Sequence, residues 1–179
     1  MTTTIAQELA TMNPSPYWEG YIIDLTVFGS VIFNLTSSSD AAVGFGAYGT
    51  FIPFPIKGTN FEVTSDQPPR PKLVVSNATK YLQPYVQQYN DLVRAKVTRI
   101  RTLAKYLDNG SQPDYTQHLP LEVFYIEQKT KMNKATIEFD LAQALDLPFV
   151  KLPNAQVLRD QTGGNNLYAP GLSSVRFRG

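Results

Sequence analysis

The chain has 179 residues, of which 42% are hydrophobic, so it is long and apolar enough to bury a core in one domain and too short for a multidomain enzyme. Sixteen Lys plus Arg against fifteen Asp plus Glu leave a formal charge of +1, which argues against non-specific binding of nucleic acid or of a charged membrane surface. With no Cys and one His, disulfides, thiolate nucleophiles, Cys-ligated zinc or iron–sulfur centres and multi-histidine metal sites are excluded.

The first residues carry neither the basic start nor the apolar run of a signal peptide, and no stretch reaches the roughly 18 apolar residues of a membrane span. An aromatic content of 12% with 13 Pro and 11 Gly points to a β-rich domain with many turns. Thr4–Thr11 reads as two helical turns that Asn13-Pro14-Ser15-Pro16 ends, forming an arm ahead of the domain. Tyr17–Phe28 and Ser30–Thr36 read as two strands joined by a tight turn at Gly29-Ser30. Ser37–Gly49 is a small, polar loop, and the prolines in Phe51–Ile56 predict an edge strand or an extended arm, with central sheet positions excluded.

Phe61–Thr64 and Lys72–Ser76 are expected as short strands around the bend Gln67–Pro71. Asn77 is the expected cap of a helix over Ala78–Asn90, where Tyr81, Leu82, Tyr85, Val86 and Tyr89 form one stripe and Pro84 belongs either in the first turn or at a kink. Leu92–Leu107 alternates as a strand until Arg99, where a bulge or a change of exposure is expected. Asp108-Asn109-Gly110 is a turn that opens a loop to Pro120. Glu122–Lys129 and Ala135–Leu141 form a hairpin, with Ala135, Ile137, Phe139 and Leu141 inward and Thr136, Glu138 and Asp140 outward. Beyond Pro148, Leu152-Pro153-Asn154 and Val157-Leu158 are short apolar anchors, Gly163–Asn166 is a flexible link, and Tyr168–Gly179 reads as an arm or as disorder.

The candidates for chemistry are weak. Gly44–Gly49 fits GxGxxG but lacks the preceding strand and following helix of a phosphate cradle. His118 has no second ligand or nucleophile nearby in sequence and reads as a solvent-exposed loop residue. Glu122, Glu127, Glu138 and Asp140 lie on one hairpin, where solvated charge is the simpler reading than a glycosidase-type pair. Arg94, Lys96, Arg99, Arg101 and Lys105 lack the interleaved aromatics of a single-strand groove.

One pattern is more specific. Pro53, Pro55, Ile56, Gly58 and Phe61, followed by Arg70, Pro71, Leu73, Val75, Ser76 and Asn77, resemble the Pro-Ile-x-Gly and Arg-Pro-x-Leu-x-Val-Ser-Asn signature of the phage minor tail protein L family of lambda-type siphophages, over about residues 17–158. Tyr17–Thr26, Leu92–Asp108 and Phe124–Leu141 are similar to its opening strand, basic strand and hairpin. The resemblance implies a mostly β fold of sandwich or barrel type, tail-tube-like, with one helix in the middle and extended terminal arms. The expected division is an arm over 1–16, a hub domain over 17–150 and a C-terminal arm over 151–179. It further implies a non-enzymatic virion protein at the distal tail end, assembled in the host cytoplasm as a homo-oligomeric ring, trimeric before hexameric. Its partners would be the adjacent distal tail ring protein, the central tip or receptor-binding protein and the tape-measure protein, with no sequence-specific nucleic acid, and the eleven motif residues are candidate interface positions. Longer members carry a Cys-rich C-terminal region with an iron–sulfur cluster, which a chain without Cys cannot hold, so no cofactor is expected. The alternative is a free-standing β-sandwich that binds a glycan or peptide through exposed Tyr48, Phe51 and Phe54. A hydrolase using Glu127 or Glu138 is a third reading.

Gly58 is expected in a turn with positive φ ahead of Phe61, a conformation that a β-branched residue resists.

Overall fold

Two long strands with period-two burial, β1 (Tyr17–Asp24) and β7 (Lys96–Leu103), pair antiparallel over their whole lengths, from Tyr17 opposite Leu103 to Asp24 opposite Lys96. They are the centre of a computed structural model that describes residues 4–29, 31–61 and 70–143, together with the backbone of 158–159 and 167–168. Around them lie α1 (Ile5–Leu9), β2 (Ile32–Thr36), β3 (Val43–Gly44), β4 (Thr50–Pro53), β5 (Ile56–Thr59), β6 (Lys72–Ser76), α2 (Gln83–Gln88), β8 (Glu122–Met132) and β9 (Thr136–Ala142). The nine strands form one sheet in the order β3-β4-β2-β1-β7-β8-β9-β6-β5. The fold is thus mostly β, with short helices.

That sheet cannot be flat. β2 and β6 are five strand steps apart in the order, about 24 Å at normal strand spacing. Yet Phe54 N–H donates to Thr36 O of β2, and the next residue, Pro55, accepts from Ser76 N–H of β6 through its carbonyl. Two residues span at most about 7 Å, so the sheet must wrap until its far strands meet at Phe54-Pro55. The prolines suit this switch of partners because each lacks an N–H but keeps a carbonyl acceptor. The expectation of an edge strand or arm therefore fails for β4, which lies between β3 and β2 with Phe51 fully buried.

Wrapping creates two apolar layers. On one face of β1, Tyr21 and Ile23 join Leu35, Ile56, Leu73, Val75, Val97, Ile126, Ile137 and Phe139, and α2 closes the layer with Leu82 and Val86. On the other face Trp18 meets Phe45, Phe51, Val43, Ile100 and Leu107. Gly20 permits this second layer, since a Cβ there would stand 2.5 Å from the Trp18 ring and 2.8 Å from Phe51. Trp18 and Phe51 meet edge to face with centroids 5.0 Å apart.

Several local expectations shift. The β1–β2 hairpin is present, but its strands end at Asp24 and Ile32 and the connection is a wider loop in which Leu25 N–H donates to Val31 O. The central helix is only Gln83–Gln88, with Pro84 in its first turn. Asn77 does not cap it: its N–H donates to Ala135 O and its side chain to Asn133 O at 2.7 Å, tying β6 to the β8–β9 hairpin. Ahead of β7, Asn90, Asp91 and Leu92 carry φ of 47°, 59° and 58°, a left-handed turn that periodicity does not signal. No bulge interrupts β7 against β1 at Arg99, so the break in alternation is a change in what the face contains. Register shifts fall instead in β8, between Ile126 and Gln128 and between Lys129 and Lys131.

In β9, Ile137, Phe139 and Leu141 are buried as expected, whereas Ala135 is exposed and Asp140 is buried. Phe61 lies beyond the end of β5, and Glu62–Thr64 fall outside the described residues. So do the expected features from 144 onward, apart from a backbone pairing of β10 (Leu158–Arg159) with β11 (Leu167–Tyr168). Residues 1–144 form one unit and 145–179 another.

Phe139 is fully buried at the middle of β9. Phe139→Ala is expected to cost about 3–5 kcal/mol in a denaturant titration. A loss below about 1 kcal/mol would mean that its ring lies at a surface.

Candidate functional site

The strand registers that build the apolar layer also bring charge into it. Tyr21 stands opposite Arg99, Arg99 opposite Glu122, and Glu19 opposite Arg101, so all five side chains share one face where β1, β7 and β8 run side by side. Arg99 donates from Nε and Nη2 to the two oxygens of Glu19 at 2.8 and 3.2 Å, and from Nη1 to Glu122 at 3.0 Å. Arg101 donates to the other oxygen of Glu122. The Tyr21 hydroxyl donates to Glu19 and accepts Gly58 N–H at 3.0 Å, which fixes β5 against β1. Phe61 covers the cluster, with its ring 4.3 Å from the Arg99 guanidinium carbon and 5.1 Å from the Phe124 ring.

Two cations balance two carboxylates, and the two members of the central pair are only 13% and 19% exposed at Arg99 and Glu19. Burial disfavours the charge on Arg99, but the hydrogen bond and charge of Glu19 outweigh it and hold the guanidinium protonated. Burial pushes the Tyr21 hydroxyl well above the usual phenol range, and the hydrogen bond to Glu19 adds to the effect. Arg99 and Tyr21 are therefore both held in their protonated forms. The geometry of the cluster locks strands together.

Gly58 belongs to this lock and not to a positive-φ turn, since among the described residues the positive-φ glycines are Gly46 and Gly49. Its constraint is space: a Cβ would lie 2.2 Å from the Phe61 ring and 2.5 Å from the Tyr21 hydroxyl. The turn that follows β5 uses Asn60, with φ 61°. The remaining motif residues are distributed through the same closure. Ile56, Leu73 and Val75 are core, Pro53 ends β4, Pro55 accepts from Ser76, and Pro71 O accepts Leu141 N–H. Arg70 is exposed and pairs with Glu127.

The other candidates are occupied from within the chain. Gly46 N–H in the GxGxxG loop donates to the Asp108 carboxylate at 3.0 and 3.2 Å, and Asp108 N–H donates to Gly44 O. The anion at that loop is therefore the chain's own. His118 is half-buried and not the exposed residue expected: Nδ1 stands 2.7 Å from Leu119 O and Nε2 3.0 Å from the Tyr48 hydroxyl. Nδ1 must carry a proton to meet a carbonyl, which can only accept. Of the basic stretch, Arg99 and Arg101 serve the cluster and Lys105 pairs with Glu8. Glu122 pairs with two arginines, Glu127 with Arg70, Glu138 with Lys131 and Asp140 with Lys72. These carboxylates thus face cations. No group of three or more metal-binding side chains occurs among the described residues. An iron–sulfur cluster has no thiolate to hold it anywhere in the sequence.

The aromatic surface of the binding-module alternative is also changed. Phe51 is buried against Trp18, while Tyr48 and Phe54 are half-buried in ring contacts with Phe45 and Tyr81. Composition had flagged Arg99 and Arg101 but not Glu19, Tyr21 or Asp108, whose roles depend on register and on a contact across more than sixty residues of chain.

The family model described as phage minor tail protein L matches residues 42–168, more than half of the chain. The chain belongs to that family, and it is a structural protein of a phage tail and a component of the virion.

Removing Arg99 would leave Glu19 and Glu122 without their shared cation. Arg99→Ala is expected to cost about 3–5 kcal/mol in urea, and wild-type stability would contradict the lock. At Asp140, burial raises the carboxyl pKa, but hydrogen bonds from Gln128 and Thr130 and the charges of Lys72 and Arg70 outweigh it and hold it below the usual value. The unfolded chain then binds that proton more readily, so this contribution is full above the ordinary Asp range and lost as pH falls through and below about 4. Melting curves taken from neutral pH down to about 3 should show a shallower acid loss in Asp140→Asn than in wild type. Parallel acid limbs would contradict it.

Proposed function

We propose that this member of the phage minor tail protein L family is a subunit of the hub ring at the distal end of a siphophage tail. The ring, three-fold before six-fold, joins the adjacent distal tail ring to the central tip or receptor-binding protein and contacts the tape-measure protein. It leaves a channel through which the genome is ejected, and it is assembled in the bacterial cytoplasm.

The wrapped sheet carries this reading. A wall that must stay shut around passing DNA gains from a strand network bent back on itself at Phe54-Pro55 and pinned by an internal ion cluster. Near-neutral charge suits the same position, since a strongly basic wall would retain DNA during ejection. Cations on and beside the strands are matched by carboxylates within the chain, as at Arg99, Arg101, Lys105 and Lys129.

Electron microscopy of intact particles labelled with a gold-tagged antibody against this protein is expected to place gold at the distal tail tip. Gold along the tail shaft or at the head would overturn the hub position while leaving a structural role. Unlabelled particles would favour the free binding module.

A further inference from the structure

The N-terminal helix is held to the domain in an unusual way. α1 has no fully buried residue, and Ile5 and Glu8 are half-buried. Thr4 and Gln7 cap it reciprocally, which stabilises the turn itself and not its docking. Its attachment to the sheet unit runs through the ion pair of Glu8 with Lys105 and the hydrogen bond from Ile5 N–H to the Gln117 side chain at 3.1 Å. Leu9 is 47% exposed, and Met12, beyond the end of the helix, is fully exposed.

Between α1 and β1 runs Thr11–Pro16. It turns back on the helix, since Thr11 N–H and Oγ donate to Glu8 O and Ser15 N–H and Oγ donate to the Glu8 carboxylate, and Pro16 O then accepts Ala104 N–H at 2.8 Å. The segment thus has a polar clip at one end, a connector hydrogen-bonded to its own helix and an anchor at the other. The surface around Lys105 and Gln117 that fits α1 in one copy is present in every copy. An arm that leaves its own clip can make the same contacts on a neighbour, with no net loss of pairs.

We propose that residues 4–16 are an exchange arm, and that in the assembled protein Glu8 and Ile5 of one copy engage Lys105 and Gln117 of a second copy of this chain. This rests on the homo-oligomeric reading of the proposed function. Swapping of identical contacts is a low-cost route to assembly. Once copies are gathered in a ring, the effective concentration of the neighbour's clip competes with that of the arm's own.

The native pair supplies the test, because a carbodiimide joins a carboxylate to an amine in contact with it. Unlabelled and heavy-isotope-labelled full-length chains are mixed while dilute, concentrated until they oligomerise, cross-linked and digested. The proposal expects Glu8–Lys105 linked peptides of mixed isotope composition alongside pure ones. An oligomer in which those peptides are all pure, or in which no such link forms, overturns the exchange and leaves the ring reading intact. A chain that stays monomeric at every concentration overturns both.

Discussion

The structure depends on the dipeptide Phe54-Pro55, where one run of chain stops pairing with β2 and begins pairing with β6. Every other long-range feature follows from the curvature this switch imposes. Because the strands on its two sides lie five steps apart in the sheet, their approach forces the interior faces of β1, β7, β8 and β9 to look at one another. The apolar layer around Phe139 and the charge cluster around Arg99 are two halves of that enclosed face.

The charge cluster needs a physical reason to exist, since an ion pair taken out of water costs desolvation that its attraction only partly repays. Here the reason is geometric. Gly58 in β5 and Phe61 just beyond it follow the switch, and that strand must stay against the wall. A hydroxyl reaching Gly58 N–H, a guanidinium beneath the Phe61 ring and a carboxylate joining the two give direction that apolar contact lacks. The cost of burying the charges is moderated because each cation sits beside a carboxylate and the side chains retain partial contact with solvent.

The sequence made much of this fold legible. Alternation identified the second strand of the β8–β9 hairpin, with Ile137, Phe139 and Leu141 inward, because a strand that buries one face must repeat every second residue. Proline rules misread Phe51–Ile56, since they describe a lost donor and not the carbonyl that Pro55 still supplies. Asn77 looked like a helix cap and instead serves a strand junction, a choice made by a partner more than fifty residues away. Gly58 was expected at a positive φ, whereas its constraint is the approach of Phe61 and Tyr21. The family motif was readable because its residues concentrate at one structural event, the closure of the sheet. Its roles were not, because Arg99 and Glu19 meet only through register.

Amide hydrogen exchange at Phe54, Gly58 and Ser76 tests the closure most directly, since their acceptors are Thr36 O, the Tyr21 hydroxyl and Pro55 O. The account predicts that all three exchange together with the core amides of β1 and β7, at the rate of global unfolding. Exchange of Phe54 and Ser76 at the rate of exposed loops, with β1 and β7 still protected, would show that the sheet folds without being closed and would contradict the account.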